Sequence, residues 1–239
     1  MTCMSATSPR RGRPTKDDTH LSRTSIVDAA LALIDAEGIA AVSMRTVGRS
    51  LGVDAKSLYH HVAGKEQLLD AVAERLLESV EVHRPTGDVR ADLRANSWAF
   101  RNAAMAHPRA ASLFLTRRVQ TLAGLGPAQS VLDVLLTAGF PADEAVHLLR
   151  SLLAIMIGTM LREVESTPTF GETDDDAIAQ REAALAGSEL SAVRLVAADL
   201  ARYDPETEFE YMVDLCGDAV VARWERRRAE EGRAEEGRA

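Results

Sequence analysis

Residues 43–65 read SMRTVGRSLGVDAKSLYHHVAGK, and their spacing decides the fold. Ser43 is placed to cap a short helix whose apolar stripe holds Val47 and Leu51, and Gly52 ends it. Asp54 then caps a second short helix with Leu58 and Val62 on its inner side, closed by Gly64. Two short helices joined by a tight turn, with a helix before them, form a helix-turn-helix, whose second helix enters the major groove of DNA. Ala55, Lys56, Ser57, Tyr59, His60 and His61 are left on the outside of that second helix. Lys56 suits a phosphate or a guanine edge, and Ser57 can donate or accept. Tyr59, His60 and His61 suit the phosphate–sugar backbone, and Arg45 and Lys65 would bracket it. A three-helix core with a solvated polar face has the same spacing, so spacing alone leaves both readings open.

Upstream, Ile26, Ala29, Ala30, Leu33 and Ile34 repeat at helical spacing from near Ser22 or Thr24, with a stop at Glu37-Gly38. Downstream, Leu68, Leu69, Val72, Leu76 and Val80 mark a longer helix that starts at about Lys65. Residues 1–21 have no apolar period and read as a disordered basic arm holding Arg10-Arg11-Gly12-Arg13-Pro14. Arg11 and Arg13 could enter a narrow minor groove, or the arm could add only counterion-release affinity. Beyond His83 we expect helices at about 88–106, 109–122, 127–138, 141–165, 188–203 and 205–229. The 141–165 helix is apolar on nearly all sides and needs cover, from its own domain and from a partner subunit. Residues 166–187 read as an acidic loop with a helical turn near 177–185, and 230–239 as a disordered low-complexity tail. No strand is needed. The expected fold is all-α: an N-terminal helix-turn-helix domain over 22–83 and a C-terminal helical domain over 84–229.

Composition agrees. The chain has 239 residues, 46% apolar and 4% aromatic, which excludes wholesale disorder and disfavours a β-sandwich. Its net charge of −8 hides an asymmetry. Residues 1–65 carry 9 Lys/Arg and 6 Asp/Glu, net +3, while the remainder carries 19 and 30, net −11. A basic head on an acidic body suits a polyanion partner at the head. Cys3 and Cys216 make neither a disulfide framework nor a metal cluster, so a reducing cytoplasm is expected. No apolar run reaches the roughly 18 residues of a membrane span, and no signal-peptide core is apparent. HExxH, CxxC, phosphate-loop and Gly-x-Ser-x-Gly motifs are lacking, and Gly124-Leu125-Gly126 reads as a turn. His60 and His61 project about 100° apart on a helix and cannot share an ion easily. We expect no catalysis, cofactor or metal.

The segment GIAAVSMRTVGRSLGVDAKSLYHHVAGKEQLLDAVAERLL resembles the DNA-binding domain of the tetracycline-repressor (TetR) family of bacterial regulators. DLRANSWAFRNAAMAHPR, LLTAGFPADEAVHLL and FEYMVDLCGDAVVARWE are similar to the C-terminal domain of its tetracycline-repressor branch. The resemblance implies a homodimer that represses transcription from a palindromic double-stranded DNA operator and is released by a small-molecule effector. It implies dimerisation through 141–165 and 205–229, and an effector-driven movement of the helix matching 65–82. The candidate pocket residues are Asn96, Phe100, Met105, Phe114, Leu136, Met156 and Met160. Positions that hold magnesium in the tetracycline-repressor branch match Glu81, Phe114 and Arg162, a set unfit for that ion. The implied effector is therefore mostly apolar and free of a divalent cation. A ligand-independent or activating regulator, or a helical scaffold protein, remains the alternative.

Overall fold

The computed structural model describes residues 21–117, 121–164 and 171–236. Among these there is no strand, only an isolated bridge between Glu172 and Arg202. Helix α1 (Arg23–Glu37) starts at a reciprocal cap in which the Ser22 and Ser25 side chains each accept the other's backbone N–H, both at 3.0 Å. Helix α2 (Met44–Ser50) starts the same way with Ser43 and Thr46, and α3 (Ala55–Leu58) is capped by Asp54, which accepts the Lys56 N–H at 2.7 Å. These caps satisfy amide groups that short helices cannot pair internally.

Helix α4 (Lys65–Glu78) packs on α1 with one side and on α6 (Ala111–Thr116) and α7 (Gly126–Thr137) with the other. The larger core follows it. Ile26, Ile34, Val47, Leu58 and Val62 of the head run through Leu68, Leu69, Val72 and Leu76 into Phe114, Met160 and Phe209 of the body. A second cluster joins α5 (Val89–Met105), α7, α8 (Ala142–Val164) and α12 (Pro205–Glu236) through Leu93, Leu135, Ala145 and Val220. Ion pairs lace the same elements: Arg94 to Glu210 and Asp214, Arg223 to Glu144, and a nearly buried pair, Arg101 to Glu163.

The structure corrects several expectations. The 109–122 helix is only α6, because the chain turns extended at Arg117. The acidic stretch is not a loop over its whole length: Asp174 caps α9 (Asp175–Ala186), accepting the Ala177 N–H at 3.1 Å, and Asp175 and Asp176 favour its positive end. The 188–203 helix is broken at Val196 into α10 (Ser191–Leu195) and α11 (Ala197–Ala201). The tail from 230 stays helical to Glu236, since Ala, Glu and Arg are strong helix formers and Gly232 alone does not stop them.

Helix α8 differs in a further way. Only Ala145 and Met160 are buried on it within one protomer. By length and composition, with a mean hydropathy of 1.5, it could cross a membrane, contrary to the sequence reading; the core helix of a soluble protein passes the same test. It packs on α7, α12 and α6, while Ile155 stands exposed. Tyr211 and Leu215 of α12 are exposed as well, and Leu148, Leu152, Ile155, Ala219 and Val220 line a shallow groove between α8 and α12.

Candidate nucleic-acid interface and effector cavity

The approach of α3 to α2 depends on two glycines. Gly52 turns the chain with φ +68°, a conformation that side chains other than glycine resist. Gly48, in the middle of α2, lies under the turn, where a Cβ would stand 3.1 Å from the Val53 carbonyl oxygen and 3.2 Å from the Ala55 nitrogen. The Val53 N–H donates to the Gly48 carbonyl at 2.9 Å across this contact. Gly52 is legible from the spacing of the sequence. Gly48 is not, because its position inside a helical run gives no turn signal.

Leu58 and Val62 are buried as expected. Arg45, Lys56, Tyr59, His60 and His61 are exposed, Tyr59 by 53%, and Ser57 and Lys65 are half-buried. Arg49, not singled out from the sequence, is exposed beside them. Among the described residues Arg45, Arg49, Lys56 and Lys65 have no carboxylate partner, whereas Arg90, Arg94, Arg101, Arg117, Arg223 and Arg227 of the body are each paired with one. An uncompensated basic surface on a helix-turn-helix is what phosphates require. Arg11 and Arg13 lie outside the described residues.

The body holds a cavity of about 160 Å³ walled by α4, α5, α6, α7, α8 and α12. Asn96, Phe100, Phe114 and Met156 line it. Met105, Leu136 and Met160 do not: Met105 packs at the end of α5, Leu136 is 47% exposed, and Met160 is wholly buried in the main core. Phe100 and Phe114 stack on each other, centroids 4.5 Å apart at 39°, so the pair forms one aromatic wall. Leu77 and Val80 bring the end of α4 into the lining, and Cys216 brings a thiol whose pKa burial raises, keeping it neutral.

Arg117 also lines the cavity, unforeseen because it falls in the stretch expected to be helical. It donates to Glu66 Oε2 at 2.9 Å, to the Glu66 carbonyl oxygen at 3.3 Å and to Asp70, all on α4. Burial alone would lower its pKa, and the bonds to Asp70 and Glu66 outweigh that and raise it. His107 at 2.8 Å from Asp35 and Arg109 on the Asp35 and Ala36 carbonyls tie the same region to α1. Among the described residues no three His, Cys, Asp or Glu side chains cluster as a metal site. Glu81 is exposed and Arg162 lies over the Tyr203 ring at 5.8 Å.

Helices alone among the described elements, with a cationic helix-turn-helix and an apolar cavity reached by α4, define a one-component transcription regulator. Residues 26–72 match the family described as bacterial regulatory proteins, tetR family, and residues 83–210 match the tetracyclin repressor-like C-terminal domain. The chain belongs to the TetR family and is a ligand-responsive transcriptional repressor, not an enzyme. It is 31% identical over 157 residues to the class A tetracycline repressor from transposon 1721 of Escherichia coli, covering 64% of this chain and 72% of that one. The Escherichia coli class C repressor is 28% identical over 179 residues, covering 74% and 81%. Among solved structures, the Streptomyces coelicolor TetR family protein ActR in complex with actinorhodin superposes with a TM-score of 0.75 at 24% identity, over 85% of this chain and 98% of that one. A possible TetR family regulator of the same organism gives 0.70 at 26% identity, over 84% and 99%.

Proposed function

We propose that this repressor binds a palindromic operator as a homodimer and is released when a mostly apolar effector occupies the cavity. Lys56, Ser57, Tyr59, His60 and His61 meet the major groove and its phosphates, Arg45 and Lys65 flank them, and Arg11 and Arg13 extend the contact from the arm. The observation that carries this reading is the set of cations on α2, α3 and the start of α4 that lack carboxylate partners among the described residues. A second copy covers the apolar faces of α8 and α12, where Ile155, Tyr211 and Leu215 are exposed. Such a dimer works in the cytoplasm, where the operator is.

The effector needs no divalent cation, because Phe114 cannot ligate one and Arg162 would repel it. Asn96, Phe100, Phe114 and Met156 are its contacts. The cavity favours this over a body that only dimerises. Tyr59→Ala combined with Lys65→Ala tests the separation of roles: we expect loss of the operator mobility shift with the dimer intact in light scattering. Loss of the dimer as well would refute the placement of the two functions.

A further inference from the structure

The polar groups of the cavity are few, and their hydrogen-bonding capacity is already partly used. Asn96 is 8% exposed, and its Nδ2 donates to the Asp92 carbonyl at 2.8 Å. A group donating to a carbonyl must be the NH₂, so the amide orientation is set by its own helix. Its Oδ1 has no partner among the described residues. Among the described residues Trp98 Nε1 is the one sealed side-chain polar atom without a partner, so Asn96 Oδ1 is not sealed and, in the cavity lining, is open to a donor from a ligand. Ser97 spends its hydroxyl proton on the Leu93 carbonyl at 2.9 Å, and Cys216 is held neutral by burial.

Among the described residues Arg117 is the one charged group in the lining, and it too is partly committed. Its two terminal nitrogens serve Glu66 and Asp70, while Nε makes no bond among the described residues. Two carboxylates already face this single guanidinium. It can therefore offer a further N–H, and an anion bound there would meet the negative charge of Glu66 and Asp70.

Building on the cavity as the effector site, we infer that the effector is a neutral, largely apolar ring compound carrying a hydrogen-bond donor for Asn96 Oδ1 and a neutral acceptor for Arg117. A hydroxyl facing Asn96 and a carbonyl facing Arg117 are the matching chemistry. A carboxylate in place of the carbonyl is discriminated against, since it would compete with Glu66 and Asp70. A cavity of about 160 Å³ holds one aromatic ring as it stands. Met156 and Met212 in its lining are adaptable enough to admit a second.

The test uses the full-length dimer and five naphthalene probes in fluorescence titration: 6-hydroxy-2-acetonaphthone, 2-acetonaphthone, 2-naphthol, 6-hydroxy-2-naphthoate and 2-methylnaphthalene. The hydroxyketone should bind tightest. Removing its hydroxyl should weaken binding about fivefold and removing its carbonyl about tenfold, from the worth of neutral and charge-assisted hydrogen bonds. The carboxylate should bind at least tenfold more weakly than the ketone. In Asn96→Ala the two ketones should bind alike, and rescue of the difference by Asn96→Gln would support the role of the amide oxygen. Equal binding of all five probes would leave the cavity as an effector site and overturn this inference. Preference for the carboxylate would overturn it as well. Failure of every probe, 2-methylnaphthalene included, would overturn the effector site itself.

Discussion

Gly48 offers a test of how the DNA-reading helix is held. An alanine Cβ there would stand 3.1, 3.2 and 3.3 Å from three backbone atoms, those of Val53 and Ala55. Backbone of a capped turn yields less readily than the tip of a side chain. Against this, replacing glycine inside a helix by alanine gains about 0.8–1 kcal/mol of propensity. The two effects are comparable, so Gly48→Ala should melt within a few degrees of the parent while displacing α3 by a few tenths of an ångström. Gly48→Val adds two methyl groups that have nowhere to go. Overpacking of that kind costs about 1–3 kcal/mol, and the β-branched residue recovers little of it as helix propensity. At about 2–4 °C per kcal/mol for a chain of this size, Tm should fall by about 2–12 °C. Operator affinity should fall more steeply than stability, tenfold or more, because Lys56, Ser57 and Tyr59 move with α3 as one body. Differential scanning calorimetry and a fluorescence-anisotropy titration on operator DNA measure the two. A Gly48→Val variant with parental Tm and parental affinity would refute the claim that this contact positions the recognition helix.

Further outcomes follow from the same geometry. Deleting residues 1–16 removes Arg10, Arg11, Arg13 and Lys16. It should lower the log–log salt slope of operator binding by about 0.9 per lost phosphate contact at unchanged Tm, and an unchanged slope would show that the arm does not touch DNA. Ile155→Lys with Leu215→Lys places charges on the exposed apolar faces of α8 and α12 and should yield monomers in light scattering, with operator affinity lost as a consequence. Calorimetric titration with tetracycline should show no magnesium-dependent binding; a micromolar, magnesium-dependent isotherm would overturn the metal-free effector.

The head of this protein was legible because its signals are local. Ser22, Ser43 and Asp54 cap their helices within three residues of themselves, and Leu58 and Val62 face inward by periodicity alone. The body was legible in class but not in detail. The Asp174–Asp176 triplet reads as a solvated loop on charge, whereas three acids at a helix start are stabilised by the free N–H groups there. The apolar helix α8 concealed which residues face a cavity and which face the core. Met156 and Met160 lie four residues apart on it; one lines the cavity and the other is sealed in the core, a distinction set by α5 and α12 rather than by periodicity. Arg117 was invisible for another reason: its partners Glu66 and Asp70 lie about fifty residues away, and no local pattern announces such a pairing.

Those distant contacts also explain how the two regions can influence each other. Leu68, Leu69, Val72 and Leu76 of α4 are buried in a core that includes both Leu58 of the recognition helix and Phe114 of the cavity wall. A packed interior has few continuous adjustments available, so a displacement at one end of α4 is not absorbed along its length. Leu77 and Val80 touch the cavity directly, and Arg117 holds Glu66 and Asp70 in the first two turns of the same helix. The proposed effector would therefore meet α4 at both ends: it would press on Leu77 and Val80 at one end, and through Nε it would bear on the guanidinium that holds Glu66 and Asp70 at the other. Lys65 and the α3 helix stand at the far end of α4 from Leu77 and Val80, and in the proposed dimer a small rotation there would change the spacing of the two recognition helices. Effector binding and operator binding then oppose each other by the same free energy in both directions, so operator DNA must weaken effector affinity as much as effector weakens operator affinity.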